Sequence, residues 1–230
     1  MVKDPERVVP LVLPVSWSCK PIQASFRVKP LILASASPRR LQLLAQIGIM
    51  PARVLATDCD ETPGKTELPK ALTLRLARSK AEAARAALQH EGQGDAYILA
   101  ADTVVARGRL ILPKAETEAD ARQCLAKLSG RGHRVLTGIA LFTPAGKLLT
   151  RCVESRVAFK KLSKDETDFY IQSGEWQGKA GGYAIQGLAG AFAVKLSGSY
   201  SAVVGLPVHE TLSLLAGEGY PVHLLWLNKA

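Results

Sequence analysis

Residues 31–44 read Leu-Ile-Leu-Ala-Ser-Ala-Ser-Pro-Arg-Arg-Leu-Gln-Leu-Leu, a short apolar strand running into a helix start. Ser37 is placed to cap that helix by accepting a bond from a free backbone N–H. Pro38 suits the first helical position, where the missing N–H costs nothing. Arg39 and Arg40 then fall at the helix end that already attracts anions. Two cations weaken a helix there unless an anion offsets them, so the end of the first strand reads as an anion site suited to phosphates. Taken alone, the run also fits a surface turn with solvated arginines.

Further along, strands and helices alternate without internal repeats, which predicts an α/β fold. Residues 30–34 and 52–57 read as strands and 38–47 as a helix ending at Gly48. Residues 58–69 read as a polar loop and 70–89 as the longest helix, with Leu72, Leu76, Ala83 and Ala87 as its buried stripe. The apolar run 97–106 reads as a central strand, interrupted by Asp102 and Thr103. A helix over 116–128 is entered at Thr117. A hairpin of 133–142 and 147–160 turns at Pro144-Ala145-Gly146. Ser163 and Glu166 form a capping box for a helix over 163–172. The glycine-rich stretch 178–200 reads as loop and strand, followed by a helix over about 208–216.

The chain has 230 residues, 47% hydrophobic and 22% charged, enough to bury a core as one large domain or two small lobes. Its net charge of +10 suits a polyanionic partner, nucleic acid or nucleotide. Aromatics are only 6% and none interleave with basic runs, which speaks against a single-strand stacking platform and against nucleic acid as partner. Cysteines at 19, 59, 124 and 152 lack the spacing of a disulfide framework or zinc site, so free thiols in a reducing, cytoplasmic setting are expected. No run approaches a membrane span. Residues 1–28 read as an irregular extension ahead of a domain over 29–230.

Asp102 is the most suspicious residue, because a carboxylate inside an apolar strand needs a cation, a metal or a function. It also fits a strand-end cap, and Thr103 beside it fits either ligand contact or packing. Glu61 shares its loop with Asp58 and Asp60, read as a solvated cluster or a divalent-metal site. Lys114 and Lys179 fit phosphate contacts or ordinary surface lysines. The glycines around Lys179 let backbone approach a ligand, and Gln186 offers both donor and acceptor to a base edge. The four histidines are isolated, so no nucleophile–histidine pair is indicated.

Ser35-Ala-Ser-Pro-Arg-Arg-Leu-Gln-Leu-Leu44, Ala101-Asp-Thr-Val-Val105, Leu128-Ser-Gly130, Thr137-Gly138, Lys179-Ala-Gly-Gly-Tyr-Ala-Ile-Gln-Gly187 and Gly198-Ser-Tyr with Val-Val-Gly-Leu-Pro207 occur in the order seen in Maf proteins. The resemblance spans about 30–228 and implies nucleoside triphosphate pyrophosphatase activity. It implies a mixed sheet with flanking helices and two lobes around a central cleft, similar to the inosine triphosphate pyrophosphatases, and a divalent metal, Mg²⁺ or Mn²⁺. Carried over, Asp102 matches the catalytic proton acceptor and Glu61 a carboxylate near the metal, with Asp102 also open as a metal ligand. Ser37 and Arg40 match the phosphate-binding turn, and Lys114 and Lys179 match phosphate-contacting lysines. Arg39, Thr103 and Gln186 match the subfamily positions and resemble the branch acting on dTTP and UTP. A homodimer stays open. Pro113 and Ala115 flank Lys114 where many members have Glu and Pro, and Ala202 stands where some have Asn. The competing readings are a 7-methyl-GTP pyrophosphatase and a non-catalytic basic protein binding nucleic acid or a partner.

Overall fold

The computed structural model describes residues 28–227. The extension read over 1–28 therefore lies outside the described residues except for Val28, as do residues 228–230.

A seven-stranded mixed sheet forms the centre, in the order β2-β1-β3-β6-β7-β9 with β4 beside β3. The first strand, β1 (Leu31–Ala34), pairs in parallel with β2 (Arg53–Val54) and with β3 (Tyr97–Arg107). From β3 onward the pairing is antiparallel, through β4 (Leu110–Leu112), β6 (Gly132–Phe142), β7 (Leu148–Phe159) and β9 (Ala193–Ser197). A separate two-stranded pair joins β5 (Lys114–Ala115) to β8 (Lys179–Ala180). Strand β2 is shorter than the predicted 52–57 because β1 offers only four residues to pair with.

Helices cover both faces, as the fully buried β1 and the apolar β3 require. Helix α1 (Pro38–Gln46) follows β1, and Gly48 just past its end has a φ of 76°. Helix α2 (Pro69–His90) lies on one face, over Ile98, Ala100 and Ala140. Its buried stripe is Leu72, Leu76, Ala77, Lys80, Ala81, Ala84 and Leu88, so the predicted Ala83 and Ala87 sit at its half-buried margin. The 3.6-residue period carries the stripe one position further along than Ala83 and Ala87.

The larger core lies on the other face, with α3 (Glu118–Leu128), α4 (Lys164–Ser173) and α6 (Val208–Gly217). Capping boxes start two of these helices. Thr117 accepts from the Asp120 amide at 3.2 Å, and Ser163 accepts from the Glu166 amide at 3.1 Å. Short α5 (Tyr200–Val204), α7 (Val222–Leu227) and a 3-10 turn (Leu188–Phe192) complete the chain.

His133 is the one buried histidine and belongs to this core, its Nε2 within 2.8 Å of Tyr183 Oη. Burial pushes its pKa down to about 4, so it stays neutral. Cys59, Cys124 and Cys152 are free thiols, and Cys19 lies outside the described residues. No described helix is long and apolar enough to cross a membrane.

Gly138 fixes how closely α2 sits on the sheet. It lies opposite Asp102 in register, and a Cβ there would fall 2.7 Å from the Thr73 carbonyl oxygen. The neighbour is helix backbone, so it cannot turn aside. Gly138→Ala is expected to lift α2 and cost about 1–3 kcal/mol, read as a lowered denaturant midpoint. An unchanged midpoint would show that α2 tolerates the shift.

Candidate active site

A cleft of about 610 Å³ opens where β1 ends, and it is lined by Ser37, Arg39, Arg40, Glu61, Asp102, Thr103, Lys114, Lys179 and Gln186. The sequence proposes these residues from five separate stretches, and the fold brings all of them to one cavity. Its size is that of a small-molecule site. The turn after β1 supplies Ser37 to Arg40, β3 supplies Asp102 and Thr103, and the loop before α2 supplies Glu61. The β5–β8 ladder sets Lys114 opposite Ala180 and Lys179 opposite Ala115, so two distant lysines become neighbours on one ladder. Gly181 secures that ladder. Its φ is 68° and a Cβ would lie 2.9 Å from Val105 Cγ1, so only glycine fits.

At the floor sits a charge cluster that the sequence does not announce. The Lys80 ammonium reaches Asp102 Oδ1 at 2.6 Å and Glu61 Oε1 at 2.7 Å, and Lys114 closes on Glu61 Oε2. Asp102 is 3% exposed, so this pairing is what makes its charge tolerable. Its Oδ2 makes no hydrogen bond among the described residues. Burial works to raise the Glu61 carboxyl, but Lys114 and Lys80 outweigh it and hold it below its ordinary value. Burial likewise opposes charge on Lys80, and Asp102 and Glu61 outweigh it, so the ammonium is held above its ordinary value.

The same cleft holds three further cations that form no ion pair among the described residues, although Asp102 and Glu61 act on Arg40 through space. Arg40 spends its donors on neutral acceptors, with Nε on the Gly205 carbonyl at 2.9 Å and Nη1 on Ser35 Oγ at 3.1 Å. Lys179 donates to the Gln177 carbonyl at 2.8 Å. None of Arg39, Arg40 and Lys179 forms an ion pair among the described residues, and the Arg39 Nε is buried without a partner. Burial lowers the pKa of all three, and Arg39 adds to the effect on Lys179. Three cations whose charge is discouraged make a site that gains from an anion.

A family model described as Maf-like protein matches residues 30–218. The chain belongs to the Maf-like family. This Maf-like chain is 61% identical over 197 residues to a dTTP/UTP pyrophosphatase of Chelativorans sp. (strain BNC1), covering 85% of the chain and 94% of that relative. It is 58% identical over 202 residues to a dTTP/UTP pyrophosphatase of Mesorhizobium japonicum, covering 87% and 97%. A dTTP/UTP pyrophosphatase of Brucella abortus is 57% identical over 197 residues, covering 85% and 95%. A looser likeness, TM-score 0.41 at 19% identity over 57% of this chain and 72% of that one, is found to the solved Staphylococcus aureus Ham1 protein.

One expectation about the Maf-like site needs correction. Ser37 occupies the N-cap position but its hydroxyl makes no cap bond. Ser35 Oγ accepts the Ser37 amide instead, at 3.1 Å, because a serine two residues back reaches that amide in a tight turn. Thr103 is more committed than a free ligand contact, since its hydroxyl pairs with Thr137 Oγ1 at 3.0 Å. Thr137 in turn donates to the Ala202 carbonyl at 2.7 Å, so residue 202 contributes backbone there. The residue missed altogether is Lys80. Its signal was present: a lysine four residues after Leu76 and four before Ala84, on the buried stripe of α2.

Proposed function

We propose that this Maf-like chain hydrolyses dTTP and UTP between the α- and β-phosphates, giving the nucleoside monophosphate and pyrophosphate. The observation that carries the reading is one cleft that holds a buried Asp102 and a half-buried Glu61 together with three cations that form no ion pair among the described residues. The names of the relatives supply the substrates, and the geometry supports the chemistry class. A triphosphate brings the negative charge that Arg39, Arg40 and Lys179 lack, and phosphoryl transfer asks mainly for positioning and charge stabilisation. Ser37 and Arg40 hold the phosphate chain at the turn after β1, with Lys114 and Lys179 on its other side. Arg39, Thr103 and Gln186 set the choice of base.

In this reading Asp102 accepts the proton of the water that attacks the α-phosphorus. The new bond forms from that oxygen to phosphorus, the bond to the bridging oxygen breaks, and pyrophosphate leaves with the electron pair. Lys80 orients Asp102, with one carboxylate oxygen held at 2.6 Å and the other left to take the proton.

The donor set fits a divalent cation held jointly with substrate. Among the described residues no three His, Cys, Asp or Glu side chains gather into a metal cluster. Glu61 and Asp102 would hold Mg²⁺ or Mn²⁺ by giving up contacts that Lys80 and Lys114 now make to them, with phosphate oxygens completing the shell, as hard cations at phosphate sites commonly do. When bound, the ion supplies neutralisation of charge on the phosphate chain.

The test is pyrophosphate release from dTTP, UTP, CTP, 7-methyl-GTP and ITP, with Mg²⁺ or Mn²⁺ and with chelator. Cation-dependent turnover confined to dTTP and UTP is expected. A preference for 7-methyl-GTP would overturn the base assignment of Arg39, Thr103 and Gln186. Absence of turnover on every nucleotide would overturn the enzyme reading and favour a basic binding protein.

A further inference from the structure

Among the described residues, the sheet face that carries α2 has no helix over one end. Along β6, residues 138, 136, 134 and 132 share that face. Thr73 of α2 covers Gly138, and Leu72 and Leu76 pack with Val104, which lies opposite Leu136. The next two rows extend beyond the start of α2. They read Arg134–Arg156–Ser197 and Gly132–Ala158–Lys195 across β6, β7 and β9.

These rows form a basin of about 510 Å³. Gly132 and Ala158 make its floor shallow-sided, and Arg134, Arg156 and Lys195 stand around it. Among the described residues no acidic side chain lines it. Arg134 and Arg156 are direct cross-strand partners, and like charges in that relation destabilise a sheet. One carboxylate serves both, with Glu154 lying 3.2 Å from Arg134 and 3.7 Å from Arg156. Lys195 is exposed and forms no ion pair among the described residues. The Arg134 guanidinium is also tied to the Gly108 carbonyl at 2.6 Å, so it is held over the basin rather than swinging free.

We propose that this basin is a second anion site, which takes a chain of phosphate groups. Three cations on three strands span about 10 Å, more than one phosphate can bridge. Arginine forks bind phosphate oxygens in pairs, and the Ser197 hydroxyl adds a donor beside them. The basin shares no lining residue with the cleft, so the two sites can be filled and emptied independently. Two sources present this chemistry: a free oligophosphate such as pyrophosphate, and the phosphodiester backbone of a nucleic acid.

The experiment is calorimetric titration of the full chain with inorganic pyrophosphate and, separately, with a short single-stranded oligonucleotide. Wild type is compared with the double variant Arg156→Ser, Lys195→Ser. A pyrophosphate event additional to that of the cleft is expected, weakened at least about tenfold in the variant while dTTP turnover is unchanged. If the oligonucleotide is the ligand, its log–log salt slope should fall by about 1.4 for two lost contacts. Loss with pyrophosphate assigns a free oligophosphate, and loss with the oligonucleotide alone assigns a phosphodiester backbone; either supports the site. In unsubstituted protein the same ligand should shift the amide resonances of Gly132, Ala158 and Lys195. Binding of both ligands unaffected by the double substitution, with those resonances unmoved, overturns it.

Discussion

Asp102→Asn is expected to lower kcat on dTTP by about 10²–10⁴-fold while leaving KM within a few-fold of wild type. The substitution preserves shape and still offers an oxygen to Lys80, which now sits 2.6 Å from Asp102 Oδ1. What it removes is the capacity to take a proton and to share a cation with Glu61. The phosphate-facing cations are untouched, so binding should survive and the loss should appear in kcat. A pH–rate profile sharpens the test, because the variant should lose the acid limb if Asp102 is the base. Near-wild-type turnover with normal nucleotide binding would make Asp102 a structural partner of Lys80 and nothing more.

Much of the frame was legible because it rests on local rules. The apolar run 97–106 became β3, the Ser163–Glu166 box starts α4, and the Pro144-Ala145-Gly146 turn joins β6 to β7. The nine candidate side chains were legible for a different reason. Each is a polar residue at a turn, in a loop or inside an apolar run, where a structural and a functional reading were both open, and the resemblance to Maf proteins put them in order. What stayed hidden depends on pairings distant in sequence. Nothing local says that Lys114 and Lys179 fall in adjacent rows of the β5–β8 ladder, or that Arg40 reaches the Gly205 carbonyl. The Ser37 cap failed because the Arg40 amide it would serve closes on Ser37's own carbonyl at 3.2 Å, which spacing alone cannot reveal. Lys80 was missed because a long helix tolerates a lysine at the edge of its apolar stripe, and only the register of Gly138 against Asp102 brings α2 close enough to bury it.

That burial makes Lys80→Met the substitution with the largest expected effect on stability, a loss of about 3–5 kcal/mol at neutral pH. The methionine fills much of the same volume but leaves two carboxylates facing each other with one cation fewer. Asp102 then has no opposite charge within the floor of the cleft, its side chain being only 4% exposed. The sign of the pH dependence follows. In wild type the Glu61 carboxyl is held below its ordinary 4.5 by Lys114 and Lys80 against burial, so it stabilises the fold above that value and stops doing so as pH falls. In the variant Glu61 loses one of the two cations that hold it down, so that part of its contribution is missing at neutral pH. The difference in unfolding free energy between the two proteins should therefore be largest near neutrality and close below about pH 4. A divalent cation bears on the same cluster. If Glu61 and Asp102 are cation ligands, Mg²⁺ or Mn²⁺ without nucleotide should raise the unfolding midpoint of Lys80→Met more than that of wild type, because the ion replaces the missing ammonium. A variant that loses under about 1 kcal/mol would mean that the carboxylates find water or protons at little cost, and the floor of the cleft would not be the closed charge cluster described here.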